Sequence, residues 1–439
     1  MQVMVVPDPG LGNTSYVVDL GDGSALVVDP ERDPRPYLEV ADRLGLVIRH
    51  VAETHLHADF VSGARELVAL GASLLAPRDS RLAHPHLPVD DGDEIVVGDL
   101  TLRVLATPGH TPEHVAYLLV EGSTPRVVFS GGTLMAGGVA RPDLISSDLT
   151  VPLAHHAYRS VRHLLAILPG DVELRPTHGG GSFCSSAPSR PGAAVSTVAE
   201  ERRTHPAQVA TDADEFVDGL LAGLGSHPTY FSRLRPFNRQ GPEVLGPDLP
   251  PLAPVAGDDV GDAVVVDVRL IDRFAAGHLP GSVSIELRDQ FGTWLGWLFE
   301  PDTPIVFVLD PDQDERDLVR QALNVGHQAI VGRVDPAEWT AGGRELATVD
   351  LVGSDGIRPG ATVVDVRQRS EWDGGHVDGA VHVELGDLVS RSVDEGAVLH
   401  CGHGQRAMTA ASLLRRRGVD AVSVTRAGPA AIAAALTHP

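Results

Sequence analysis

Thr54-His55-Leu56-His57-Ala58-Asp59-Phe60 is the stretch on which the reading of this chain turns. An apolar run, Leu46-Val47-Ile48, precedes it, and a helix-like segment over 63–70 follows. Two histidines and a carboxylate therefore fall at a strand-to-helix turn. Residues i and i+2 of an extended segment point the same way, so His55 and His57 can aim at one point. Imidazole and carboxylate are the ligands that Zn²⁺ and Fe²⁺ prefer.

Working outward, the first 245 residues supply more of the same chemistry. Short β-like runs at 3–6, 14–18 and 25–28 are separated by Gly and Asp turns, as in a mixed sheet. A β-run at 102–106 feeds the turn Thr107-Pro108-Gly109-His110, with His114 four residues on and read as structural. Then come Phe129-Ser130-Gly131-Gly132-Thr133-Leu134 and Ala140-Arg141-Pro142-Asp143-Leu144. Last is Thr177-His178-Gly179-Gly180-Gly181-Ser182-Phe183-Cys184. Residues 212–221 have helical periodicity, with Phe216, Leu220 and Leu221 on one face, and Tyr230 and Phe231 read as packing residues.

The His-x-His-x-Asp pattern resembles the metallo-β-lactamase superfamily, and its continuation over 58–63 looks most like the persulfide dioxygenase branch. The resemblance implies an αββα sandwich over 1–245. It implies metal ligation by His55, His57, His110, Asp59 and His178, a substrate segment at Arg141 and Asp143, and a sulfur-relaying role for Cys184. Two positions depart from the pattern. Phe60 stands where the branch has His, and Gly132 where it has a ligand Asp. A two-metal hydrolase needs both side chains. A mononuclear site needs fewer ligands, with positions open for substrate. Three outcomes stay open: a site of His55, His57 and His110; a carboxylate restored by Asp59; or a site that holds metal weakly. Iron is the expected metal, zinc the alternative.

Beyond the proline-rich stretch at 246–254, which reads as a semi-rigid spacer, a second pattern occurs twice. Val266-Asp267-Val268-Arg269 leads to Gly277-His278-Leu279-Pro280-Gly281, and Val364-Asp365-Val366-Arg367 leads to Gly375-His376-Val377-Asp378-Gly379. This internal repeat resembles rhodanese domains, at 246–348 and 349–439, each expected to hold a parallel sheet in an α/β fold. The first copy contains no cysteine. The second has His400-Cys401-Gly402-His403-Gly404-Gln405-Arg406 between a buried-type strand and an apolar helix. A sulfur at such a turn sits among main-chain N–H groups that favour an anion. Gly402 and Gly404 permit the tight turn, Arg406 can close it by charge-assisted hydrogen bonds, and Gly402, His403, Gly404 and Gln405 are the expected substrate-binding residues of the loop. Four residues between Cys and Arg fit a persulfide sulfur.

A formal net charge of −24 argues against nucleic acid and anionic membranes as partners. Two distant cysteines, Cys184 and Cys401, make a disulfide framework implausible and fit a reduced cytoplasmic compartment. No apolar run approaches a membrane span. The resemblances together imply oxidation of a low-molecular-weight thiol persulfide at a mononuclear metal, coupled to sulfur transfer through Cys401 with sulfite or thiosulfate as partners. A zinc hydrolase of thioester-like substrates with a three-histidine site is one alternative. A sulfurtransferase with a degenerate metal domain is the other. The oligomeric state stays open, a homo-oligomer among the options.

Overall fold

The computed structural model describes residues 1–186, 195–249, 251–389, 391, 393–419 and 422–437. Pro250, inside the proline-rich stretch, lies outside them. The chain forms two compact units: Met1–Leu249 with Leu323–Gly326, and Pro250–Ala322 with His327–Pro439.

The first unit is an αββα sandwich. One six-stranded sheet runs in chain order: Gln2–Asp8, Asn13–Asp19, Ser24–Val28, Val47–Ala52, Ser73–Pro77 and Leu87–Val89. The other runs Ser196–Thr197, Glu173–Pro176, Thr124–Gly131, Val115–Glu121, Leu100–Ala106 and Glu94–Val97. The central strands are apolar at successive positions because both their faces are covered. Tyr16, Val18, Leu26 and Val28 of one sheet meet Tyr117, Leu119 and Phe129 of the other between the layers. Their neighbours Val17, Ala25 and Val27 pack outward against helices Arg35–Leu44 and Ala64–Ala69. Ala116, Leu118 and Val120 pack outward against helix Ser147–Ile167 and helix Ala213–Ala222. Phe216, Val217 and Leu220 are the buried face of the latter, and Tyr230 and Phe231 are both buried in a satellite core.

This layering positions the histidines. His55 follows strand Val47–Ala52, His110 follows Leu100–Ala106, and His178 follows Glu173–Pro176, which is parallel to Thr124–Gly131. Loops at strand ends carry side chains that a rigid scaffold can aim.

The second unit contains two parallel sheets. The first has the order Val283–Ser284, Val264–Asp267, Ile305–Val308, Ile330–Arg333. The second has the order Asp350–Val352, Ser423–Thr425, Val398–His400, Val363–Asp365, Val381–His382. The repeat extends to single hydrogen bonds. Arg269 Nε and Nη2 bond Asp267 at 2.9 and 2.6 Å, and Arg367 bonds Asp365 at the same two distances. His278 stacks on Phe274 at 3.9 Å, and His376 on Trp372 at 3.8 Å. Among the described residues, no helix is long and apolar enough to cross a membrane.

Candidate functional site

Two groups of side chains are candidates for a functional site, one in each unit. In the first, the ligand atoms of His55, His110 and His178 all lie within 4.8 Å of one another, with His55 Nε2 and His178 Nε2 3.3 Å apart. Each ring is turned by a partner on its other nitrogen. His55 Nδ1 lies 2.8 Å from Thr54 Oγ1, which itself donates to Asp29 Oδ2 at 2.8 Å. His110 Nδ1 donates to the Arg141 carbonyl at 2.7 Å. His178 Nδ1 donates to Asn13 Oδ1 at 2.9 Å. All three Nε2 lone pairs are thus left for a common centre, and His110 Nε2 is buried with no hydrogen-bond partner among the described residues. Burial pushes the pKa of His110 down to about 3 and that of His55 well below the ordinary histidine range. Both are neutral, the form that binds metal.

His57 is beside this group rather than in it. Its ring centre is 4.2 Å from that of His55, but its Nε2 faces Glu53 Oε2 at 3.0 Å and Asp29 Oδ1 at 3.2 Å. Burial disfavours its charge, yet the two carboxylates outweigh burial and raise its pKa to about 10. Asp59 is directed at His178 and Asn13: its Oδ2 lies 3.3 Å from His178 Nδ1 and accepts from Asn13 Nδ2 at 2.8 Å. It groups with His57 and His178 as a second set of donors. Phe60 is fully buried, stacked on His57 at 4.2 Å.

Gly132 borders the centre with no side chain to offer. A Cβ there would stand 2.7 Å from the Ala140 methyl, 3.0 Å from His110 and 3.1 Å from His178. At Gly131, φ is +54°, and a Cβ would meet His114 Nε2 at 2.4 Å. His114 serves the fold of this loop. Its Nε2 accepts from the Gly132 N–H at 3.0 Å, and its Nδ1 faces Thr107 Oγ1 at 2.9 Å.

Arg141 is buried and its donors are spent within the fold, on both Asp143 oxygens at 2.7 and 2.8 Å and on the Gly225 and Phe183 carbonyls. It holds its own carbonyl against His110. Cys184 is fully buried, and its thiol pKa is pushed well up by burial and by the Asp59 charge. Asn13 orients His178 from a distant strand end, and Asp29 fixes Thr54, which orients the adjacent His55; Asn13 and Asp29 carry no sequence signal of their own because their partners are far away in the chain.

The second site lies where strand Val398–His400 meets helix Gln405–Arg416. Cys401 Sγ accepts from the Gly404 N–H at 3.1 Å. Gly404 has φ +94°, a left-handed value that glycine takes without steric cost. Among the described residues, nothing lies within 4 Å of where a Gly402 side chain would begin, and His403 is exposed. Gln405 is half-buried at the first turn of the helix. Arg406 forms a bidentate pair with Glu371 at 2.6 and 2.8 Å. In the first repeat, Val308 pairs with Asp267 as His400 pairs with Asp365. Leu309 therefore occupies the place of Cys401, and Asp314 that of Arg406.

Residues 8–72 match the metallo-beta-lactamase superfamily, and residues 256–335 and 350–435 match the rhodanese-like domain. The persulfide dioxygenase ETHE1 of Homo sapiens is 32% identical over 46% of this chain and 74% of its own length. A hydroxyacylglutathione hydrolase of Methylobacillus flagellatus is 42% identical over 27% of this chain, which spans 46% of that relative's length. A solved metallo-beta-lactamase structure from Staphylococcus aureus superposes with TM-score 0.67 at 29% identity, covering 76% of this chain and 98% of that one. The chain belongs to the metallo-β-lactamase superfamily, as a domain homologous to persulfide dioxygenases fused to two rhodanese-like domains.

Proposed function

We propose that this chain is an enzyme of sulfane-sulfur chemistry, with Cys401 as the sulfur carrier and the histidine centre as the site of persulfide oxidation. The Gly404 N–H on the Cys401 sulfur is the observation that carries the proposal. It stabilises charge on the Cys401 sulfur in the thiolate that attacks the donor. In the transfer, the Cys401 thiolate attacks the outer sulfur of a donor such as thiosulfate. The donor's S–S bond breaks, sulfite leaves with the electron pair, and Cys401 becomes a persulfide anion, with no external oxidant or reductant. An acceptor thiol or sulfite then removes the sulfur by the reverse chemistry.

The donor set of the first unit fits a single metal ion. His55, His110 and His178 would hold it, and Thr54, Arg141 and Asn13 fix which nitrogen each ring presents. A bound iron would supply O₂ chemistry to a low-molecular-weight thiol persulfide. The residues themselves exclude bulk water, keep the imidazoles neutral and hold the centre rigid. A two-metal hydrolase is less well supported, because Phe60 and Gly132 offer no ligand. The Gly132 position favours one second reading, a sulfurtransferase whose first domain no longer oxidises. Metal content and O₂ uptake with glutathione persulfide separate the two. Iron near one per chain with O₂ consumption is expected; iron-free protein that still transfers sulfur establishes the second reading.

A further inference from the structure

The first repeat has no thiol, yet a cavity of about 550 Å³ opens beyond the ends of its strands Ile305–Val308 and Ile330–Arg333. Leu309, Val334 and Pro336 form its apolar wall. Leu309 stands where the second repeat has its sulfur, so the cavity offers no nucleophile there. The turn that follows is opposite in charge to the Cys401 turn. Each turn has four residues between its first and last positions, but Asp310 and Asp312 stand at the places of Gly402 and Gly404, and Asp314 at that of Arg406.

The charged groups of this cavity differ in how far they are already used. Asp314 caps a helix, accepting from the Arg316 and Asp317 N–H groups at 2.9 and 3.2 Å. Gln313 pins the turn: its Oε1 accepts from the Asp310 N–H and its Nε2 donates to the Val268 carbonyl, both at 2.8 Å. The Asp310 carboxylate lines the cavity and has no hydrogen bond or ion pair among the described residues. Asp335 spends one oxygen on the Ala337 N–H at 2.8 Å and keeps the other. Of the two arginines on the cavity, Arg269 is spent on its fork with Asp267 and on the Gly277 carbonyl at 2.9 Å. Arg333 is not. Its main chain is held by Ala253 and Val255 at 2.8 and 2.7 Å. Among the described residues its guanidinium meets Glu315 alone, Nε to Oε2 at 3.7 Å, and both Nη groups stay open.

We propose that this cavity binds the α-amino-acid head of a low-molecular-weight thiol such as glutathione, its carboxylate on Arg333 and its ammonium on Asp310. The choice of a thiol rests on the reading of the chain as an enzyme of sulfane-sulfur chemistry; the choice of a zwitterion rests on the cavity alone. A dianion such as thiosulfate would face two carboxylates with one open guanidinium to answer them. A simple cation would face that guanidinium. A zwitterion answers both signs by charge-assisted hydrogen bonds, and its methylene stem covers the apolar wall. The volume falls within the range of small-molecule sites, roughly 300–1,000 Å³. The repeat without a sulfur thus holds a thiol by its head, reversibly and without covalent chemistry.

S-methylglutathione tests this without a reactive thiol. Titrated by calorimetry into the full chain, it shows saturable binding at millimolar concentration or below. Acetylating its amino group removes the ammonium and weakens binding about fivefold or more. Arg333→Gln weakens both forms about tenfold. Asp310→Asn weakens the parent alone, so that the two forms bind alike. That loss of discrimination is a ratio within one protein, which general loosening of the turn does not produce. Discrimination that persists in Asp310→Asn overturns the proposal, as does binding that Arg333→Gln leaves unchanged, or no saturable binding at all. So does Ca²⁺ binding that Asp310→Asn abolishes and S-methylglutathione does not displace, which marks a cation site. A chain that binds S-methylglutathione as expected but transfers no sulfur would defeat the carrier reading and leave this site standing.

Discussion

The Cys401 turn and the histidine centre are built on opposite principles. At Cys401, the polar environment comes from the main chain: a strand end and the N–H of a left-handed glycine at the start of a helix. Such a cradle needs few particular side chains. The histidine centre is built wholly from side chains that arrive from separate strand ends, each aligned by a further partner. One substitution removes one ligand, and Gly132 stands at the position where the family pattern has a carboxylate. The repeat without a thiol makes the same point from the other side. It keeps the Asp–Arg fork and the stacked histidine of its twin, so the scaffold persists where the chemistry is absent.

The largest effect that would sharpen this contrast is at Cys401. Cys401→Ala should lower sulfur transfer at least about 10³-fold with the thermal midpoint unchanged, and a thiosulfate-to-cyanide assay beside a melting curve checks both. Next is the alignment of the rings. Thr54→Val removes the acceptor for His55 Nδ1, and metal affinity should fall about 10- to 100-fold, measured by competition with a chromogenic chelator. Sulfur transfer at Cys401 should not change, since its cradle is separate.

Gly132→Asp asks whether the missing carboxylate can be put back. Its Cβ would press on the Ala140 methyl, so the single variant should lose about 1–3 kcal/mol of stability in urea denaturation. Adding Ala140→Gly should recover most of that loss. A stable single variant would show that the loop yields, and that Gly132 is not held in place by Ala140.

The smallest effect concerns the Arg406–Glu371 pair. Burial alone would raise the Glu371 pKa, but the bonds and charge of Arg406 outweigh it and hold the carboxyl below its ordinary range. The stabilisation this gives is present above the unfolded glutamate pKa and is lost as pH falls through the folded value. Glu371 is partly exposed, so the contribution should stay under about 1 kcal/mol. The difference in melting temperature between the native chain and Glu371→Gln should therefore shrink on acidification, and a difference independent of pH would break the assignment.

The αββα layering and the two parallel sheets were legible through the resemblance of short motifs to known families; the apolar runs by themselves indicated no more than a mixed sheet and, at Asp267 and Asp365, the ends of buried strands in a repeated motif. The Cys401 turn was legible for the same local reason, since a strand end, two glycines and a helix start are adjacent in the chain. The histidine centre was only half legible. His55, His110 and His178 each lie in a recognisable motif, but the sequence also offered His57, two residues from His55 and on the same side of an extended segment. Folding turned the His57 Nε2 toward Glu53 and Asp29. Asp29 is distant in sequence and comes near only once strands Ser24–Val28 and Val47–Ala52 pair.

By itself, the sequence determined the β-strand runs, the internal repeat and the position of the Cys401 turn, because periodicity, glycine turns and strand ends act between neighbours. Tertiary structure alone decided which imidazole nitrogens face each other and why Ala140 crowds position 132. Those outcomes depend on where separate strand ends and loops meet, and on which partner takes the second nitrogen of each ring.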